Sequence, residues 1–266
     1  GFINYFDNVS VWSDQVAGSQ INKGVALICQ SGTIGNTVSF NHRSLPLGYI
    51  ISVGNQTCIT IEDIINYTLN DKRVTAIGIY AEDFNNIELL TKVLKKAKNK
   101  NIPIAIVKVG RSKIAAETIM SHTGSLSGKE DIYDALFDQL GASRCDTLGE
   151  LCETLKMFHT VGALKGNKIA IMGPSGGDMA MIGDISEGMA INYAQIPKNI
   201  VRKLKKVNHE GVIFSNPFDL QTYNWNDPAS LKKTFDLMFK SNFDFIGLML
   251  DFPNIKGCDI LEWESI

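Results

Sequence analysis

Short apolar runs alternate with amphipathic ones along most of the chain. Val25-Ala-Leu-Ile-Cys29 is apolar throughout and reads as a strand. Gln30-Ser-Gly32 then turns it into a helix from Thr33. Gly48–Val53 and Val74–Tyr80 predict two further strands, with a helix over Ile61–Leu69 between them. Ile87–Lys98 places Leu89, Leu90, Val93, Leu94 and Ala97 on one helical face. Ile102–Val109 is a fourth strand, with Pro103 near its start, where a missing donor matters least. A polar loop holding His122 follows, then a helix from about 129 to 140. Gly141–Cys145 is a short fifth strand and Thr147–Val161 a helix.

The pattern restarts after the polar bridge Leu164–Lys168. A strand over Lys168–Met172, a Gly-rich turn and a helix over Asp178–Met189 come first. A short helix over Ile196–Leu204, a loop over Ser215–Leu220, a helix over Pro228–Phe239 and a strand over Phe245–Leu250 complete the series. Strands alternating with helices mean parallel sheets, so the expected class is α/β, as two flavodoxin-like three-layer domains. Their expected spans are 24–163 and 167–266, the second incomplete. Residues 1–23 have little periodicity and read as a lead-in or linker.

Composition narrows the classes. The chain has 266 residues, 44% hydrophobic and 20% charged, with a net charge of −2. No broad basic field invites nucleic acid or an anionic membrane. The Lys-rich runs at 92–100 and 202–206 read as solvated helix faces. Cysteines at 29, 58, 145, 152 and 258 form no CxxC pair, which argues against a disulfide framework or zinc site and for the cytoplasm. No apolar stretch approaches the roughly 18 residues of a membrane span. A first residue that is Gly rather than Met points to a piece of a larger protein.

Four polar loops lie where ligands sit in open parallel sheets, beyond the carboxyl ends of strands. The first, Gln30–Thr37, offers Ser31, Gly32 and Thr33 at a helix start, where free N–H groups and the helix dipole favour an anion. A well-made N-cap needs no ligand, and both readings stay open. Ser175, Gly176 and Gly177 open a second helix in the same way. Tyr80-Ala-Glu-Asp83 puts Glu82 at the end of the third strand, where a carboxylate can fix an imidazole tautomer; a surface acid near a helix start is the competing role. The fourth loop surrounds His122 with Ser121, Thr123, Gly124, Ser125, Ser127 and Gly128. A lone loop histidine is ordinary more often than catalytic; this one has the small, hydroxyl-rich surroundings of a phosphorylatable nucleophile.

Taken together these stretches resemble the nucleoside-diphosphate-forming (ADP-forming) acyl-CoA synthetases, relatives of succinyl-CoA synthetase. The matching runs are Leu27–Gly32, Ser52–Asn55, Ile79–Glu82, Ser121-His-Thr-Gly-Ser-Leu-Ser-Gly128, Ser175–Gly177 with Asp184, and Asn216–Leu220. The resemblance implies an acid-thiol ligase that interconverts acid, CoA and ATP with acyl-CoA, ADP and phosphate. It implies a phosphoryl group carried on His122, Glu82 as orienting partner, and the helix starts at Ser31-Gly32 and Ser175–Gly177 as the phosphate cradle. It also implies CoA, ATP/ADP and Mg2+ for the full enzyme, a carboxylic acid or acyl-CoA substrate, an ATP-grasp domain or subunit as partner, and a homo-oligomer. Two features depart from the family pattern. Neither a CoA-binding G-x-G-x-x-G lead-in nor an ATP-grasp module is in the sequence, so this piece alone is expected to be inactive. Asp178 stands where a small or neutral residue is usual, and would repel a phosphate if it pointed inward.

Two other classes are weighed. A flavodoxin-like module would cradle phosphate or a flavin mononucleotide, but Tyr49, Tyr67 and Tyr80 lie in apolar patterns that suit the core. A regulatory domain fused to an acetyltransferase would have lost Glu82 or His122 more readily. The remaining histidines read as structural: His42 ending a helix, His159 on a helical face, His209 in a polar turn. Met172, Met179, Met181 and Met189 read as core packing.

Overall fold

Six consecutive buried residues, Gly24–Cys29, form β3, and the first sheet is built around it. The computed structural model describes residues 1–123 and 130–250, with side chains for 1–120 and 130–250. The chain divides into two compact units, Gly1–Ala163 and Leu164–Ile266.

In the first unit, β3 is flanked by parallel β4 (Leu47–Ser52) and β5 (Val74–Ala81). Beyond β5 lie β6 (Ile104–Lys108) and the two-residue β7 (Ser143–Arg144), also parallel. The order β4-β3-β5-β6-β7 is the flavodoxin 2-1-3-4-5 arrangement. Two antiparallel strands extend its edge: β1 (Phe2–Asn4) pairs with β4, and β2 (Val9–Val11) pairs with β1. Residues 1–23 are thus not a linker. Their signal was weak because each strand is three residues long. Arg73 reinforces the attachment, holding Asp7 with two hydrogen bonds at 2.7 and 3.0 Å.

Helices cover both faces. The alternation along β3 sends Val25, Leu27 and Cys29 to one core and Ala26 and Ile28 to the other. On the first face pack α1 (Gly32–Ser39) and α6 (Leu148–Val161), through Val38, Leu151, Leu155 and Phe158. On the second pack α2 (Ile61–Thr68), α3 (Ile87–Asn99) and α5 (Glu130–Leu140), through Ile61, Ile65, Leu90, Val93, Leu94, Tyr133 and Phe137. These helices start where the sequence supplies caps: Ser31, Thr60, Asn86 and Thr147 each accept a hydrogen bond from the third residue on. Gly78 is required by packing, since a Cβ there would come within 2.5 Å of the Leu155 side chain.

The segment expected as a loop after β6 begins instead with a helix, α4 (Lys113–Thr123). Ser112 starts it, its hydroxyl accepting from Ala115 N–H at 3.1 Å. The helix-favouring run Ile-Ala-Ala-Glu117 carries it on.

In the second unit, β8 (Ile169–Gly173) is central, with β9 (Phe218–Asp219) and β10 (Phe245–Leu248) parallel on either side. This is the 2-1-3 portion of the same topology. β9 falls inside the stretch expected to be a loop. α7 (Gly176–Ile185) follows β8 and stops short of the expected Met189. Met181 and Met189 are exposed rather than core, unlike Met172 and Met179. The core is closed by α8 (Lys198–Leu204) and α9 (Pro228–Phe239) through Ile200, Leu204, Leu231, Phe235 and Met238. Among the described residues no helix is long and apolar enough to cross a membrane.

Candidate functional site at the carboxyl ends of the strands

Gln30 leaves β3 as a buried residue, and its side chain does not cap its own helix. Its Oε1 reaches to the end of β5 and accepts from the backbone N–H groups of Glu82 (2.6 Å) and Asp83 (3.0 Å). The residue beside it, Ser31, is the N-cap of α1, with Oγ accepting from Ile34 N–H at 3.4 Å. One glutamine therefore ties the first phosphate-like loop to the candidate carboxylate. This role was not read from the sequence, where Gln30 was simply part of a turn.

The start of α1 is open. A Cβ built on Gly32 would meet only the Ser52 hydroxyl, at 3.8 Å. No acidic residue lies in its first turn. Thr33 is exposed there. The free N–H groups of this helix start are thus uncrowded, which suits an anion.

Glu82 is half-buried, and its Oε2 is buried with no hydrogen-bond partner among the described residues. An ionised oxygen in that position has lost water without a replacement donor. Its charge is felt by Tyr80, whose phenol is pushed up first by burial and then by Glu82. The neighbouring carboxylate, Asp83, is satisfied: its Oδ1 accepts from the Tyr133 hydroxyl at 2.8 Å.

The start of α7 differs. Ser175 caps it, its Oγ accepting from Asp178 N–H at 3.3 Å, and Gly176 and Gly177 form the first turn. A Cβ on Gly176 would lie 2.8 Å from Asp219 Oδ2, so a carboxylate already packs against this helix start. Asp178 adds a second acid to the same turn. The two helix starts thus differ in the acids beside them.

The backbone of His122 lies in the last turn of α4, while its side chain, with those of Ser121 and Thr123, lies outside the described residues. The rest of that motif, 124–129, also lies outside them. The other histidines are accounted for. His159 Nδ1 shares a hydrogen bond with Thr75 Oγ1 at 2.8 Å. His209 accepts from Gly211 N–H and stacks on Tyr223 at 4.4 Å. His42 is exposed beyond the end of α1 rather than ending it. Of the three tyrosines expected in the core, Tyr49 is buried and Tyr80 half-buried, but Tyr67 is exposed.

Residues 22–158 match the family described as the succinyl-CoA ligase like flavodoxin domain. The chain belongs to this family. A relative among characterised proteins, acetate–CoA ligase [ADP-forming] of Methanocaldococcus jannaschii, is 31% identical over 199 residues, 74% of this chain and 28% of that protein. The alpha subunit of acetate–CoA ligase [ADP-forming] II of Pyrococcus furiosus is 29% identical over 198 residues, 74% of this chain and 43% of that subunit. The chain thus spans less than half the length of either relative. The fold is shared with an acetyl-coenzyme A synthetase 1 of Ca. Korarchaeum cryptofilum, solved in complex with phosphate and ADP. The TM-score is 0.76 at 20% identity, over 95% of this chain and 62% of that one.

As a succinyl-CoA ligase-like flavodoxin domain, the first unit accounts for the sequence motifs in physical terms. Leu27–Gly32 is the buried strand and its turn into α1, Ser52–Asn55 leaves β4, and Ile79–Glu82 ends β5. All three lie at the carboxyl ends of adjacent parallel strands. In the second unit, Asn216 of the run Asn216–Leu220 is a structural stitch. Its Nδ2 donates to the carbonyls of Ile169 (2.7 Å) and Ala194 (2.8 Å), and its Oδ1 accepts from Ile171 N–H (3.2 Å).

Proposed function

We propose that the full-length protein is an ADP-forming acid–CoA ligase and that this chain supplies its phosphohistidine relay. The activities of the two related acetate–CoA ligases support the reaction class. The observation that carries the relay is the buried, unpartnered Oε2 of Glu82, beside the open start of α1. A carboxylate so placed accepts an N–H from an imidazole, fixes its tautomer and leaves the other ring nitrogen as nucleophile.

The imidazole in this reading is His122. Its free nitrogen attacks the terminal phosphorus of ATP; the bond to the leaving oxygen breaks and ADP departs. The carboxylate of the acid then takes the phosphoryl group from nitrogen, giving an acyl phosphate. CoA thiolate attacks the acyl carbon and releases inorganic phosphate. Transferring phosphoryl charge needs fixed dipoles, and the N–H groups at Ser31, Gly32 and Thr33 supply them without reorganisation. Ser175, Gly176 and Gly177 open α7 as a second candidate phosphate site, at which the carboxylates of Asp219 and Asp178 compete with an anion. Mg2+ and the nucleotide are assigned to an ATP-grasp domain or partner subunit, and a homo-oligomer and a cytoplasmic location fit the same reading.

Steady-state turnover of the full-length protein tests it. With ATP, CoA and a panel of carboxylic acids, ADP and phosphate are expected in equal amounts. His122→Ala is expected to abolish turnover, and Glu82→Gln to lower kcat about 100-fold with little change in KM for ATP, the size of an orienting general-base effect. Full activity in both variants would refute the relay.

A further inference from the structure

The basic residues of α8 are not spread evenly into solvent. Lys198, Arg202 and Lys205 recur at i, i+4 and i+7, so they form one row about 10 Å long on a single face. That row lines a cleft of about 850 Å³ within the second unit. Val201, from the same helix, and the aromatic residues Tyr193 and Phe214 line it too. Among the described residues no acid lines the cleft, and the three cationic side chains make no ion pair or hydrogen bond.

Taken alone, the row burdens its helix. Lys198 opens α8, where the dipole disfavours a cation, and the N-cap Pro197 supplies no side-chain hydrogen bond. Lys198 and Arg202 are like charges one turn apart, and α8 contains no acidic residue to offset them. A negatively charged ligand removes that repulsion.

The walls are fixed without a ligand. Asn216 Nδ2 holds the carbonyl of Ala194, next to Tyr193, and so ties the 193–196 wall to the 214–216 wall. Phe214 is set by Phe218, their ring centres 5.5 Å apart. A preformed, partly apolar cleft of this volume suits a small molecule. The cleft lies toward the amino end of β8, where Asn192 bridges Lys168 and Asn216 bonds to Ile169 and Ile171. The acid-flanked start of α7 lies beyond the carboxyl end of the same strand, so the two are separate sites.

We propose that this cleft is a further anion site, which takes a nucleoside polyphosphate. A row of three cations matches a chain of phosphates, whereas a single phosphate would engage only part of it. Tyr193 and Phe214 offer ring surface to the base. The nucleotide is bound here and not converted, so the site stands or falls independently of the relay.

Equilibrium dialysis of the full-length protein against labelled ADP tests it, with Arg202→Glu plus Lys205→Glu as the variant. Both residues are exposed, so the melting temperature should stay near wild type. The variant is expected to lose one equivalent of bound ADP relative to wild type. Excess pyrophosphate is expected to displace that equivalent, and adenosine is not. Tyr193→Ala is expected to weaken ADP binding there roughly 10-fold and to leave pyrophosphate binding unchanged. Equal ADP stoichiometry and affinity in wild type and the charge-reversed variant would overturn the site. Pyrophosphate that binds as tightly as ADP would overturn the nucleoside assignment. If Tyr193→Ala fails to fold, the comparison of ADP with pyrophosphate on wild type decides that point.

Discussion

Asp71 is a residue whose environment changes its chemistry. Hydrogen bonds from Arg73, above all, hold its carboxyl at about 2, well below the ordinary value, with a further hydrogen bond from Tyr49. A carboxylate with a depressed folded pKa stabilises the fold above its unfolded pKa, and that stability is lost as pH falls through the folded one. The expected loss runs between about pH 4 and pH 2 and amounts to about 1–2 kcal/mol, discounted because Arg73 is partly solvated. Asp71→Asn should remove this portion of the acid limb in pH-dependent urea unfolding; an unchanged limb would show that the pair contributes nothing. At this scale the sequence was partly legible. Glu82 stood out because it ends a strand in an α/β pattern. Lys108 and Tyr133 did not, since their partners, Glu130 and Asp83, come from 22 and 50 positions away.

The start of α1 is the element on which anion binding depends, and it separates packing from function cleanly. Gly32 has room for a methyl group and its φ is not in the left-handed region. Gly32→Ala is therefore expected to leave stability unchanged or raise it slightly, by about 0.5 kcal/mol, since glycine is the poorer helix former. The same methyl group crowds the N–H groups an anion would approach, so KM for phosphate in the reverse reaction should rise several-fold. Ser31→Ala should instead cost about 1 kcal/mol through the lost cap, read as a lower melting temperature. A destabilised Gly32→Ala with normal phosphate KM would contradict the assignment. Element boundaries were legible wherever a cap preceded an amphipathic run, as at Thr60, Asn86 and Thr147. They were not where pairing is short, as in β1, β2 and β9, because two or three residues carry no measurable period. α4 was hidden for another reason: its polar end, Ser121-His-Thr123, carries no apolar stripe to mark a helix.

On the scale of the molecule, two compact units, each with its own core, account for the restart of the sequence pattern near residue 164. Residues 1–163 are expected to fold alone with a single cooperative transition, because their sheet is covered on both faces. Leu155→Ala in that unit should cost about 2–5 kcal/mol, as its fully buried side chain fills the space that Gly78 leaves. The central claim of this account concerns where phosphate rests in the full-length protein. The most direct measurement is peptide mapping by mass spectrometry, at alkaline pH, of the protein after brief exposure to ATP and Mg2+. The account predicts an acid-labile phosphate on His122 that is discharged by a carboxylic acid substrate. Phosphate found on another side chain, or an unmodified His122 in an enzyme that is turning over, would contradict it.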